Sequence, residues 1–378
     1  MKIIFSIEIN SNPYEITKIK NKKILIDYLI IDDYIDDMQL ITYENEEKHG
    51  ERFYQFNDME MIYYFIHKQQ HVNKAKKLSD ATKRNYLRDI LQFYYKWVEF
   101  QERNNNEINN YLLKRLKPRH VELYQVDFLT KQMGYKVATI ARKSIVLKSF
   151  LKWLHQVNYI NEPVHQTMIS SSAGNDDHPD RDLSFQEVSM LINYWKERDH
   201  PVNYSILLTL ATTGLRIAEL CKAKWGDLFF DYTTGHYFLA SIGKNKKHRD
   251  VLIFPYVLEA LKMLRKRRRL SDQLNSNDHS PLLPNQSRTF YSATYLSKYV
   301  KKIIRQTNFP FLMNKDGPIT PHWFRHFFAN HSLDQGANLE YIRQTLGHSM
   351  LRTTQGYLRK NMERKNNAAI YWDQQQFS

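Results

Sequence analysis

A mainly α chain with one small β-sheet, folded as two principal domains, is what this sequence predicts. Three observations carry that expectation. Beyond residue 57, apolar side chains recur mostly at three- and four-residue intervals, the signature of amphipathic helices packed on a core. Within that helical texture the period changes after Trp225, where Tyr237 to Ile242 and Asp250 to Phe254 read as short strands joined by GKNKKHR. Between the two halves, His165 to Asp182 (HQTMISSSAGNDDHPDRD) offers a core almost no anchor and reads as an interdomain linker.

In chain order, residues 1–55 form an appended element. Lys2 to Glu8 and Ile24 to Ile31 are rich in β-formers and separated by turn residues, so strands are expected there; Asp32 to Glu47 is acidic, unlike the rest. Residues 56–165 form a helical domain. Met59 to Gln69 is apolar at helical spacing, and Ser79 caps a helix on which Tyr86, Ile90, Phe93, Tyr94 and Trp97 make one stripe. Asn104 to Asn110 breaks that pattern and Pro118 starts the next helix. Thr139 opens another, packed through Ile140, Ile145, Leu147, Phe150, Leu151 and Leu154. Lys83, Arg84, Arg142 and Lys143 lie on these helices as either a solvated face or a DNA-facing one. Residues 166–182 are the linker.

A second domain, 183–360, opens with a capping box, Ser184 to Glu187, behind apolar Leu183. Helices follow near 184–197 and 202–213, Thr213-Gly214 interrupts, and Ile217 to Cys221 resumes. After the strands comes a helix ending in the run 265–269, RKRRR. Ser241 to Leu270 holds ten Lys or Arg against Asp250 and Glu259, a local +8 that marks a phosphate-contacting surface. Phe290 to Thr307 is helical and Asn308 to Pro318 a loop. Pro321 then starts a helix carrying HWFRHFFANHSL, which Gly336 ends, and Asn338 opens another that Gly347 ends. The tail, 361–378, is polar apart from Ala368 to Trp372, an apolar patch suited to docking either on another protomer or within its own.

With 55 Lys and Arg against 40 Asp and Glu, the net charge of +15 favours a polyanionic partner. Apolar content of 42% and aromatic content of 13% exclude a disordered polycation. One cysteine, Cys221, excludes an internal disulfide and a cysteine metal cluster, and no apolar run suits a signal core or a membrane span. The expectation is a soluble cytoplasmic protein.

The chemistry concentrates in a few polar residues. His322 and Arg325 sit three apart on one helix, so both can face one phosphate. Arg216 lies amid Leu215, Ile217 and Leu220 with Glu219 one turn away. His348 follows Gly347, and Tyr357 follows after a short segment. Guanidiniums can grip non-bridging phosphate oxygens, imidazoles can donate hydrogen bonds or move protons, and a phenol oxygen can attack phosphorus. Each residue alone has a plainer reading: a local helix-start bond for His322, an Arg–Glu pair for Arg216, a helix cap for His348, one tyrosine among 25 for Tyr357. The set, ordered along the chain, is the stronger signal.

That set resembles the tyrosine recombinase, or phage integrase, family. TTGLRIAEL resembles its first arginine box, with Arg216 and Glu219. SIGKNKKHRDVLI resembles the hairpin carrying the family's catalytic lysine, assigned to Lys244 with Lys246 and Lys247 as neighbouring alternatives. ITPHWFRHFFANHSLDQGANLEYIRQTLGH resembles the second box, with His322 and Arg325, and GHSMLRTTQGYL supplies His348 and the nucleophile Tyr357. The motifs span about 184–360. Phe324 replaces a common leucine and Gly356 a bulkier residue. Residues 56–165 resemble, more loosely, the family's helical SAM-like core-binding domain, beside a mixed α/β catalytic domain.

The resemblance implies site-specific DNA cleavage and rejoining through a 3′-phosphotyrosyl link, serving integration, excision or transposition of a mobile element. Xer-type dimer resolution, a type IB topoisomerase-like activity and a non-catalytic DNA-binding protein of this fold are the alternatives. Arg216 and Arg325 would steady the transition state and Lys244 would protonate the leaving oxygen. His322 would assist with the nucleophile's proton, His348 would bond a non-bridging oxygen, and Glu219 would support. Lys83, Arg84, Arg142, Lys143, Lys246, Lys247 and Arg249 would contact DNA. No cofactor or metal is implied. The partners implied are duplex DNA with inverted core repeats, a homo-tetramer on two sites that is a monomer or weak oligomer without DNA, and accessory proteins, in a nucleoid-associated setting.

Overall fold

The computed structural model describes residues 22–68, 78–169, 182–243 and 248–348, with positions 350, 354, 355 and 358. The chain divides into two units, Met1–His178 and Pro179–Ser378. No helix among the described residues is long and apolar enough to cross a membrane.

The first unit is helical: α1 (Lys22–Leu29), α2 (Ile35–His49), α3 (Asp58–His67), α4 (Asp80–Arg103), α5 (Pro118–Leu123) and α6 (Val137–Gln156). A π-helical segment, Tyr124–Gln132, continues α5. The start of α4 follows from Ser79, whose hydroxyl accepts from the Thr82 amide, and α3 carries a capping box between Asn57 and Glu60. The long helices α4 and α6 pack together, and α3 lies against both. Their core is aromatic, with Trp153 meeting Phe53, Tyr64 and Phe65.

Three expectations change here. The strand expected over Ile24–Ile31 is largely helix α1. Its Leu25 and Leu29, four apart, are buried in the same core as α4, and that contact outweighs the β-branched content. The appended element, over its described residues, is therefore helical and packed into the first unit. The linker's first residues are docked too: Met168 is buried, and the Ile169 backbone exchanges hydrogen bonds with the Gln125 amide at 2.8 and 2.9 Å.

The third change concerns basic side chains expected to face DNA. Lys143 is buried, bonding Asp89 at 2.7 Å and Gln92 at 2.6 Å. Lys83 is buried against His67, 3.2 Å away. Arg142 grips the same Asp89 at 2.5 Å, and Arg84 pairs with Asp27. A buried lysine with a carboxylate or imidazole at hydrogen-bond distance has its charge met inside the fold, whereas the Arg142 and Arg84 side chains stay about half exposed.

The second unit contains α7 (Phe185–Glu197), α8 (Pro201–Thr213), α9 (Ile217–Leu220), β1 (Leu228–Asp231), β2 (His236–Ile242), β3 (His248–Ile253), α10 (Pro255–Arg267), α11 (Ala293–Arg305), α12 (Pro321–Asp334) and α13 (Leu339–Leu346). The hydrophobic α8 is central, packed by α7, α10 and α12. The described strands form one antiparallel sheet in the order β1-β2-β3, in which β1 was not anticipated. The Ser184–Glu187 capping box is present. Arg265, counted in the basic run, is buried beneath Trp225 and pairs with Asp278 at 2.6 Å.

Candidate active site

The site forms where the ends of α8 and α13 meet the starts of α9 and α12. Helix α8 ends at Gly214, left-handed at φ +58°, and α13 ends at Gly347, left-handed at φ +65°. These turns expose the carbonyls of Gly214 and Leu346 to the same buried guanidinium. Arg325, 1% exposed, donates from Nη1 to Gly214 O at 2.6 Å and from Nη2 to Leu346 O. Its Nη2 also lies 2.9 Å from His348 Nε2.

Arg216 enters from the N-terminus of α9. Its Nη1 donates to Glu219 Oε1 at 3.0 Å and approaches Leu346 O at 3.5 Å. Two arginines, one from each predicted box, therefore converge on one carbonyl. Arg325 is buried, while Arg216 keeps 35% of its side chain exposed. Glu219 binds the Arg216 amide at 2.9 Å and is held by Arg249 at 2.7 and 3.3 Å. Burial alone would raise the Glu219 carboxyl, but hydrogen bonds from Arg249 and Arg216, with the Arg249 charge, hold it below the usual range.

His348 is buried, and burial first, then the charges of Arg325, Arg216 and Arg249, push its imidazole down to about 3. It is neutral at physiological pH. Arginine has no acceptor, so Nε2 must accept from Arg325 and Nδ1 carries the proton, donated to Thr354 Oγ1 at 2.9 Å. In this arrangement His348 orients Arg325. Thr354 was not picked out from the sequence, where nothing separates it from Thr353; only its burial against His348 identifies it.

His322 is exposed on the first turn of α12, its ring edge-on to His326 at 4.8 Å. Arg249, expected on DNA, is instead turned into the site with 11% of its side chain exposed, because Glu219 offers it both oxygens. Lys244, Lys246, Lys247 and Tyr357 lie outside the described residues, as does the 361–378 tail. Next to Tyr357 in the chain, Leu358 is buried with Ala329, Ile342 and Leu346. Among the described residues, no group of three His, Cys, Asp or Glu is placed to hold a metal ion.

A pocket of two guanidiniums and a neutral imidazole can hold a phosphate dianion-like transition state. The family model described as Phage integrase family matches residues 181–364. The second unit is a phage integrase family domain. The similarity to curated relatives extends beyond it. A tyrosine recombinase XerC of Pediococcus pentosaceus is 26% identical over 318 residues, covering 81% of this chain and 95% of its own. A XerC of Syntrophus aciditrophicus is 28% identical over 301 residues, covering 78% and 92%. Among solved structures, the XerH site-specific recombinase bound to palindromic difH substrate gives a TM-score of 0.58 at 20% identity, covering 74% of this chain and 79% of that one. A lambda integrase dimer bound to a COC′ core site gives 0.55 at 15% identity, covering 80% and 76%. These likenesses establish the fold.

Proposed function

We propose that this protein cuts and rejoins duplex DNA at specific sites, with Tyr357 as nucleophile and a 3′-phosphotyrosyl link as intermediate, in the integration, excision or transposition of a mobile element. The observation that carries the reading is the convergence of Arg216, Arg325 and His348 around Leu346 O, each from the motif expected to supply it. Arg216 and Arg325 stabilise charge gathering on the non-bridging oxygens, and neutral His348 fixes the Arg325 fork. Lys244 protonates the leaving 5′-oxygen and His322 assists the phenol's proton. Resealing reverses the attack with a strand's 5′-hydroxyl, so no external energy source is needed. The DNA partner carries inverted core repeats, and a homo-tetramer on two such sites, with accessory proteins, is the working assembly, in a cytoplasmic, nucleoid-associated setting.

The test is covalent capture. Duplexes nicked beside the scissile phosphate, tiled over the DNA flanking the gene, should yield a protein–DNA adduct with the native chain. Tyr357→Phe should give none while still binding DNA; an adduct that survives the substitution refutes the assignment. The XerC relatives, similar over most of the chain, favour a second reading, Xer-type dimer resolution. Resolution of a plasmid bearing two directly repeated chromosomal sites would select it over integration.

A further inference from the structure

We propose that Arg249 is a positioning residue for strand cleavage: by holding both oxygens of Glu219, it keeps that carboxylate from closing on Arg216 and leaves the Arg216 guanidinium able to grip phosphate. The inference rests on the function proposed above and adds to it the residue that keeps the first arginine competent.

The geometry is a shared carboxylate. Arg249 Nη2 and Nη1 donate to Glu219 Oε2 and Oε1 at 2.7 and 3.3 Å, a two-pronged grip. Arg216 supplies one further donor to each oxygen, its amide to Oε2 at 2.9 Å and its Nη1 to Oε1 at 3.0 Å. Only one guanidinium nitrogen of Arg216 is therefore spent on Glu219. Its Nε and Nη2 make no hydrogen bond among the described residues, which leaves that edge for a ligand. Without Arg249, Glu219 would be a buried carboxylate with a single guanidinium in reach. A two-pronged Arg216–Glu219 pair would then satisfy it and neutralise the charge that the phosphate needs.

Arg249 also ties the sheet to the site. It lies on β3 opposite Ser241 of β2. A Cβ on Gly347 would stand 2.8 Å from Arg249 Nη1, so glycine is needed there for this approach as well as for its φ of +65°. The hairpin, the end of α13 and the Arg216 box thus meet at one guanidinium.

An ordinary structural ion pair would share much of this geometry, so the test must separate the two. Single-turnover adduct formation is measured at saturating protein on the nicked duplexes, with DNA affinity and thermal unfolding in parallel. Arg249→Met should slow cleavage by about 10- to 100-fold, the range for partners that orient an active group, with DNA affinity unchanged. Arg249→Lys should recover part of the rate, because an ammonium restores the charge without the fork. The deciding variant is Glu219→Gln combined with Arg249→Met. Removing the stranded carboxylate should make the double variant cleave faster than Arg249→Met alone. Wild-type cleavage by Arg249→Met, or a double variant no faster than the single, overturns the proposal. If Arg249→Met does not fold, Arg249→Lys with and without Glu219→Gln carries the same comparison. Failure of the native protein to form any adduct would instead refute the parent function, so the two failures are distinct.

Discussion

His348 allows a prediction worked through to a number. Its Nε2 accepts from Arg325 and its Nδ1 donates to Thr354, so a second proton would break the first bond and set a cation among three guanidiniums. The native imidazole accordingly titrates at about 3, whereas an unfolded histidine titrates near the ordinary value of about 6.5. As pH falls through that range the unfolded chain binds a proton that the native one refuses. The contribution is therefore complete above about pH 6.5 and is lost progressively as pH falls towards 3. At pH 5 the ratio of proton-binding terms, (1 + 10^1.5)/(1 + 10^−2), gives a loss of about 2 kcal/mol. In a unit of this size that is roughly 4–8 °C in Tm. Glutamine in place of histidine can accept from Arg325 and donate to Thr354 but does not titrate. Melts of the native protein and His348→Gln at pH 8 and pH 5 isolate the group from every other carboxylate and histidine. The native second unit should lose those degrees and the variant should not. An equal drop in both would show that His348 is not held neutral by this pocket, and the inferred tautomer would fall with it.

Gly214→Ala should lower the Tm of the second unit. It combines a left-handed φ with a methyl 2.7 Å from Phe328 Cδ1 and 2.9 Å from Leu346 Cδ2. The cost is about 2–4 kcal/mol, and an unchanged melt would refute it. Lys143→Met should leave Asp89 with Arg142 alone and cost the first unit roughly 2–3 kcal/mol. DNA binding by the folded variant should keep its salt dependence; a slope reduced by about one would show that Lys143 meets a phosphate after all.

What was legible in the sequence was local. Ser79, Ser184 with Glu187, Asn338, Gly214 and Gly347 act within a turn of their own positions, and each begins or ends the helix assigned to it. The arginine boxes were legible because Arg216, Arg325 and His348 each sit in a short local motif, in the order that the resemblance implies. Ile24 to Ile31 was misread because its local content favours a strand, while the burial of Leu25 and Leu29 against α4 is decided elsewhere in the chain. The carboxylate partners of the basic residues were not legible for the same reason. Whether a lysine faces solvent depends on which carboxylate folds beneath it, and Asp89 is more than 50 residues from Arg142 and Lys143. The surplus of +8 between Ser241 and Leu270 must be recounted on this basis. Arg249 and Arg265 are turned inward onto Glu219 and Asp278, and Lys262 and Lys266 hold Glu259 and Asp272. Arg267 and Arg269 stay exposed. The basic run is thus split between side chains held inside the scaffold and side chains left outward. The salt dependence of binding should count only the outward share, which the sum of charges along the sequence overstates.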